Sequence, residues 1–274
     1  MRFTADASRF MKPGGDRLVA VAGLLAARGL RYSIIKTGDA RHVIVRIGKA
    51  KPGLAFVAHY DRIAGSPGTL DNSCACLQLV ELAARHHASP ARPSFLVAFT
   101  DAEEAPVPGE PFTQGSYALA KKLKAAAGAG NAMSAIVLDV TGRGARLLLS
   151  TAPAELLARR GLSLSSEALG HRALVGMAVR AAARAGQGAP METGLPWSDD
   201  LGLTLGGLPA LAVSLLPESE AAMLAEGKRP PLWDLLHTAA DSPELAQKAA
   251  FTLMSAFLDS IVLELARPAE GSLY

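Results

Sequence analysis

Residues 54–61, LAFVAHYD, decide the fold. Leu54–Ala58 are apolar without a break, and His59, Tyr60 and Asp61 follow at once. A run this short and this apolar has no face left for water, so it reads as a strand covered on both sides. The same form recurs at Phe95–Phe99, at Ala135–Leu138 and at Ala210–Leu216. Helices are expected between these runs: from Ser73 to about His87 with Asn72 as N-cap, over Gln114–Ala127, and over Glu167–Ala185. Upstream, Leu18–Ala27 has helical spacing, and Tyr32–Lys36 and His42–Ile47 read as strands joined by a polar turn at Thr37–Ala40. Downstream, Leu147–Ser150 extends the sheet. A last helix is expected to start near Ser242-Pro243-Glu244, with Ser as cap and Pro at the first helical position, and to run to about Leu265. Apolar strands alternating with helices imply an α/β fold: a mostly parallel, mixed central sheet with helices on both faces. No linker divides the chain, so residues 1–274 are expected to form a single domain, with insertions near Pro106–Pro111 and Pro217–Pro231.

Composition narrows the classes of function. Half of the 274 residues are hydrophobic and 19% are charged, which supplies a large core and excludes a disordered or low-complexity chain. The formal charge of +3 is spread along the chain with no Lys/Arg run longer than a pair, so no nucleic-acid partner is expected. No stretch of ~18 apolar residues is present to span a membrane. Leu18–Ala27, preceded by Arg2, Arg9, Lys12 and Arg17, has some marks of a leader, but Asp6 and Asp16 spoil its positive segment. The two cysteines, Cys74 and Cys76, are too few and too close for a disulfide framework, so a reducing, cytoplasmic setting is expected.

In open α/β sheets, sites form beyond the carboxyl ends of the strands. There this chain places His59 and Asp61, then Asp101, Glu103 and Glu104, then Asp139, while Asp71 opens the helix after the first strand and His237 precedes the last. Taken alone, Asp71 reads as a cap, Asp139 as a turn residue and His237 as a loop histidine. Three strand ends converging on one edge change that reading, because buried acids are costly unless paired or bound to a cation. Two histidines with several carboxylates and no thiolate suit zinc or a similar divalent ion. Cys74 and Cys76 point to different sides of a helix and read as buried thiols. His86-His87 reads as surface, and Trp197 and Trp233 read equally as core or as walls of a pocket.

H-Y-D at 59–61, L-D-N at 70–72, F-T-D-A-E-E at 99–104, V-L-D-V at 137–140 and H-T-A-A-D at 237–241 occur in order along the chain. G-S at 115–116, S-D at 198–199 and G-L-P-A at 207–210 accompany them. Together these segments resemble the co-catalytic zinc aminopeptidases, a family that includes bacterial leucyl aminopeptidases and has glutaminyl cyclases and glutamate carboxypeptidase II as relatives. The resemblance runs over nearly the whole chain and implies a zinc-exopeptidase-like fold, two zinc ions and a peptide substrate. It further implies that Asp71 bridges the two ions, that His59 and Asp139 complete one site, and that Glu104 and His237 complete the other. Glu103 would be the general base, and Asp61 would fix the tautomer of His59. Adjacent glutamates can take such different roles only on irregular backbone, because neighbours on a strand face opposite ways.

The chain departs from the family at Ala102, where glycine is usual, at Cys74-Ala75, where a Ser-Gly pair is usual, and at Asp200, which often is histidine and lies where the substrate pocket is built. The expected activity is removal of the N-terminal residue of peptides. Two alternatives stand beside it: a one-zinc, glutaminyl-cyclase-like acyltransferase using Asp71, Glu104 and His237, and a catalytically silent member of the fold.

Overall fold

The apolar strands lie at the centre of one sheet. The structure, a computed structural model, describes residues 4–12, 14–89, 93–104, 111–128 and 133–265. In chain order the elements are α1 (Ala5–Phe10), α2 (Arg17–Ala26), β1 (Tyr32–Thr37), β2 (Ala40–Ile47), β3 (Leu54–His59), α3 (Cys74–Ala88) and β4 (Phe95–Thr100). They continue with α4 (Gly115–Ala127), β5 (Ser134–Leu138), β6 (Arg146–Ser150), α5 (Ala152–Arg159), α6 (Ser166–Arg184) and β7 (Met191–Thr193). The chain closes with α7 (Asp199–Leu205), β8 (Ala210–Leu216), α8 (Glu218–Ala225) and α9 (Lys248–Leu265). The eight strands are ordered β1-β2-β4-β3-β5-β8-β6-β7. β4, β3, β5 and β8 run parallel and form the middle, β1 and β2 add an antiparallel hairpin at one flank, and β6 pairs antiparallel with β8 at the other.

The two faces of the sheet are packed differently. Phe56, Phe95, Val97, Phe99, Ile136, Leu138, Leu211 and Val213 meet α2, α3, α6 and α9 on one face. Ala55, Val57, Ala98, Ala135, Ala210 and Ala212 meet α4 and α7 on the other. Alternation of large and small side chains along continuously apolar strands explains why both faces are dry. The opening helix α2 buries Leu18, Val21, Leu24 and Leu25 in the first of these cores, so it is an amphipathic element of the fold. Among the described residues no helix is long and apolar enough to cross a membrane.

Several boundaries differ from expectation. The last helix starts at Lys248, because the Ser242-Pro243-Glu244 signature is used for a separate 3₁₀ turn, Pro243–Leu245. The Pro217–Pro231 segment is no plain insertion but carries α8. The expected insertion beginning at Pro106 lies, up to residue 110, outside the described residues. α1, α5, α7 and β7 were not expected; they run to only 6, 8, 7 and 3 residues, too short for periodicity to mark them.

Candidate metal centre

The carboxyl ends of β3, β4 and β5 open onto one edge, as their parallel register requires. His59 is the last residue of β3 and sits opposite Thr100, the last of β4. Asp139 follows β5 directly and donates its backbone N–H to the carbonyl of Val213 on β8. Beyond β3 the chain makes a tight turn, Thr69–Ser73, before α3. Asp71 and Asn72 take non-helical φ of −120° and −137° there, so Asn72 is not the helix cap that was expected. Its amide donates instead to the carbonyl of Leu138 at 2.7 Å, tying the turn to the end of β5 beside Asp139.

Asp241 holds the turn from the other side. Its Oδ1 accepts the backbone N–H of Leu70 at 2.7 Å and its Oδ2 that of Asp71 at 3.2 Å. Asp241 ends the H-T-A-A-D segment, but spacing alone gave it no role, because its partner is 170 residues away.

The side chains converge as follows. His59 Nε2 lies 3.1 Å from Asp71 Oδ1 and 3.7 Å from Asp139 Oδ1. His237 Nε2 lies 2.9 Å from Asp71 Oδ2 and 3.2 Å from Glu104 Oε2. Asp71 therefore turns one oxygen to each histidine. In each of the sets His59–Asp71–Asp139 and Asp71–Glu104–His237, three ligand atoms fall within 4.8 Å of one another. His59, Glu103 and Glu104 meet the same distance. Asp61 Oδ1 stands 3.5 Å from His59 Nδ1, and its Oδ2 accepts the backbone N–H of Glu104 at 3.0 Å. Asp101 does not join the cluster: its carboxylate accepts the backbone N–H groups of Arg41 and Ala102 at 2.9 and 3.1 Å, closing the end of β4.

Glu103 and Glu104 diverge because the backbone between β4 and them is irregular. Ala102 sits at φ +60°, in the left-handed region that favours glycine. Among the described residues, Val140 and His237 are the other non-glycine residues there, at +52° and +61°. All three adjoin or belong to the cluster, so its backbone is the strained part of the described chain. Ala102→Gly is expected to stabilise the protein by up to about 1 kcal/mol. That corresponds to a rise in thermal midpoint of about 2–4 °C, measurable by calorimetry. Close packing fixes the same loop from below: a Cβ on Gly115 would collide with the carbonyl of Asp101 and reach the His42 ring at 3.0 Å.

The electrostatics are those of a site built for cations. Burial works against charge on His59, but Glu103, Asp139, Asp61 and Asp71 outweigh it and hold its pKa well above the usual value. The hydrogen bond to Asp71 lifts His237 to about 9. Burial, helped by the Asp71 charge, pushes Glu104 up to about 8, and burial raises Glu103 strongly as well. Burial would raise Asp71, yet the two imidazoles keep it below the usual carboxylate range. His59 Nε2, Glu104 Oε1 and Asp139 Oδ1 are buried without a hydrogen-bond partner. Donors of nitrogen and oxygen type, left unpaired and aimed at one another, fit divalent ions of the zinc kind. The buried Cys74 and Cys76 stay outside these sets, and Cys76 donates its S–H to the His59 carbonyl at 3.1 Å.

A cleft of about 450 Å³ opens over the cluster, with Asp71, Glu103, Glu104, Asp139 and His237 on its floor. Trp197 and Trp233 both wall it; Trp197 is half exposed, whereas Trp233 also packs against the small core beside the cleft. A family model described as Peptidase family M28 matches residues 42–261, most of the chain. The chain belongs to peptidase family M28. Among solved structures this M28 chain is similar to a leucine aminopeptidase precursor from Bacteroides thetaiotaomicron, at 18% identity and TM-score 0.70, covering 94% of this chain and 93% of that one. It is equally similar to a glutaminyl cyclase from the same organism bound to N-acetylhistamine, at 19% identity and TM-score 0.70, covering 94% of each chain. A Zn-dependent exopeptidase from Parabacteroides distasonis matches at 16% identity and TM-score 0.65, again over 94% of each. Identities this low show a shared fold. No curated protein sequence matches the chain.

Asp200, the M28 position expected at the substrate pocket, is not on the wall of the cleft. It is fully buried in the first turn of α7, and neither oxygen reaches a hydrogen-bond partner. Burial pushes its pKa up to about 7, against the opposing influence of Ser150 and of the backbone N–H groups of Ala212 and Leu201. A carboxyl whose folded pKa exceeds its unfolded value stabilises fully below the unfolded pKa and loses that contribution as pH rises through the folded one. Asp200→Asn is therefore expected to be more stable than the parent at pH 8, by up to about 4 kcal/mol. The advantage shrinks steadily from pH 7 towards pH 4, and urea unfolding at a series of pH values would check it.

Proposed function

We propose that this protein is a two-zinc exopeptidase that removes the N-terminal residue of peptides. The observation that carries this reading is the Asp71 carboxylate, which presents Oδ1 to His59 and Oδ2 to His237. His59, Asp71 and Asp139 would hold one ion, and Asp71, Glu104 and His237 the other. When bound, such a pair would supply Lewis acidity for the scissile carbonyl and for activating a water at neutral pH.

The chain's own residues supply the rest. Glu103 is oriented by Gln114, whose amide donates to its Oε1 at 3.3 Å. Burial raises its proton affinity, as a base needs if it is to take the proton of the attacking water and return it to the leaving amine. Asp61, whose Oδ1 stands 3.5 Å from Nδ1 of His59, favours the tautomer protonated there, so that Nε2 faces the cluster. The acidic floor favours the ammonium group of a free N-terminus, and Trp197 and Trp233 shield the reacting bond from bulk water.

A second reading, a one-zinc glutaminyl cyclase, is favoured by the equally close likeness to the Bacteroides thetaiotaomicron cyclase. It would use Asp71, Glu104 and His237, and would leave His59 and Asp139 without a purpose. A catalytically silent chain is the third reading. One experiment separates them: mass spectrometry of a peptide beginning with Gln after incubation with the zinc-loaded protein. Loss of the whole first residue, abolished by N-acetylation of the peptide, is the expected result. Loss of ammonia alone, at unchanged chain length, would assign the cyclase; an unaltered peptide across a panel of N-terminal residues would assign the silent chain.

A further inference from the structure

Arg17 is the first residue of α2 and lies N-terminal to the residues matched by the family model. It is buried, and among the described residues no carboxylate forms an ion pair with it. Its guanidinium stacks over the Phe10 ring, 4.0 Å from the centroid. Nε donates to the carbonyl of Tyr60, while Nη1 donates to the carbonyl of Phe10 at 3.1 Å and to the hydroxyl of Ser73 at 2.9 Å. Nη2 is buried with no partner. Burial lowers its pKa to about 10, which still leaves a full positive charge at neutral pH, and the carboxylates of Asp61 and Asp71 are among the charges that stabilise it.

A buried cation without a counter-ion in contact is costly, and an apolar side chain would pack there at less expense. What the guanidinium adds is a planar fork that holds several acceptors at fixed spacing. Two of those acceptors belong to the metal centre's supports. Tyr60 follows His59 directly, and Ser73 lies two residues after Asp71 in the turn before α3. The third, Phe10, anchors the fork to the N-terminal segment. Arg62 ties the same segment to the loop before that turn by donating to the carbonyls of Lys12 at 2.8 Å and Pro67 at 3.0 Å.

Resting on the two-zinc reading above, we propose that Arg17 is a positioning residue of the metal centre. By holding the Tyr60 carbonyl and the Ser73 hydroxyl on one guanidinium, it sets the separation between His59 and Asp71. It also places a fixed positive charge behind Asp61 and Asp71. The N-terminal helix thereby becomes part of the metal site without touching a metal.

The test is the zinc affinity of the full chain, measured by competition with a chromophoric chelator well below the melting midpoint of each variant. Arg17→Lys keeps the charge but loses the fork, and Arg17→Met loses both. Each is expected to weaken zinc binding by ~10–100-fold, the usual cost of removing an outer support of a metal ligand. Ser73→Ala should weaken it less, and the double variant Arg17→Lys with Ser73→Ala should cost less than the sum of the two, because both remove the Arg17–Ser73 bond while only Ser73→Ala also removes the hydroxyl's bond to the Gly68 carbonyl. A folded Arg17→Lys chain with parental zinc affinity overturns the proposal, as do strictly additive losses in the double variant. If Arg17→Met does not fold, the Arg17→Lys and Ser73→Ala cycle still decides. A parent chain that takes up no zinc overturns the two-zinc reading and this proposal with it. Parental uptake with unaltered variants overturns this proposal alone.

Discussion

Glu103→Gln is expected to leave zinc uptake unchanged while lowering kcat by ~10²–10⁴, the range for loss of a general base. The substitution removes a proton acceptor but keeps the shape, and the Gln114 amide can rotate to meet it. Glu104→Gln should do the reverse in order of cause. It withdraws a ligand oxygen 3.2 Å from His237, so zinc binding weakens first and activity falls with it. Elemental analysis of both variants beside their kinetics is the deciding measurement. Zinc lost from Glu103→Gln and kept in Glu104→Gln would reverse the assignment of the pair. That outcome has a geometric route, because Glu103 also lies within ligand distance of His59.

The second large effect concerns Asp71. Asp71→Ala is expected to empty both sites together, because each loses one of its three ligands when this side chain goes. Asp139→Ala should remove only the ion held by His59, leaving the His237 site filled. Zinc titrations followed by elemental analysis read this directly as the number of ions bound per chain. Two ions in the parent, one in Asp139→Ala and none in Asp71→Ala is the expected series. A single ion in the parent that survives Asp139→Ala unchanged would move the case to the one-zinc reading.

The centre of the fold could be read from local composition. β3, β4 and β5 are continuous apolar runs because parallel strands in mid-sheet are covered on both faces, and that condition acts residue by residue. The polar residues that follow them had to lie at one edge, since parallel strands end on the same side. His59, Glu103, Glu104 and Asp139 were therefore recognisable as neighbours before any distance was known. Asp71 and His237 needed the family resemblance as well, because each sits in a loop whose path local sequence does not determine.

What composition could not supply were partners distant in sequence. Asn72 has the chemistry of a helix cap, and only the position of Leu138 turns its amide away from α3. Asp241 is a short loop acid until the chain brings the N–H groups of Leu70 and Asp71 to its two oxygens. Asp200 looks like a pocket residue, yet α7 carries it into the buried interior.

The sequence by itself determined the apolar strands, the helices that cover them and the residue types at their carboxyl ends, because periodicity and burial are local requirements on each segment. Tertiary structure alone decided which oxygen of Asp71 faces which histidine, that Asp101 turns away while Glu104 turns in, and that Arg17 reaches from the first core helix to Tyr60 and Ser73. Those outcomes depend on angles and distances between segments far apart in the chain. Hydrogen bonds and ion pairs are decided by tenths of an ångström, on which the order of residues is silent.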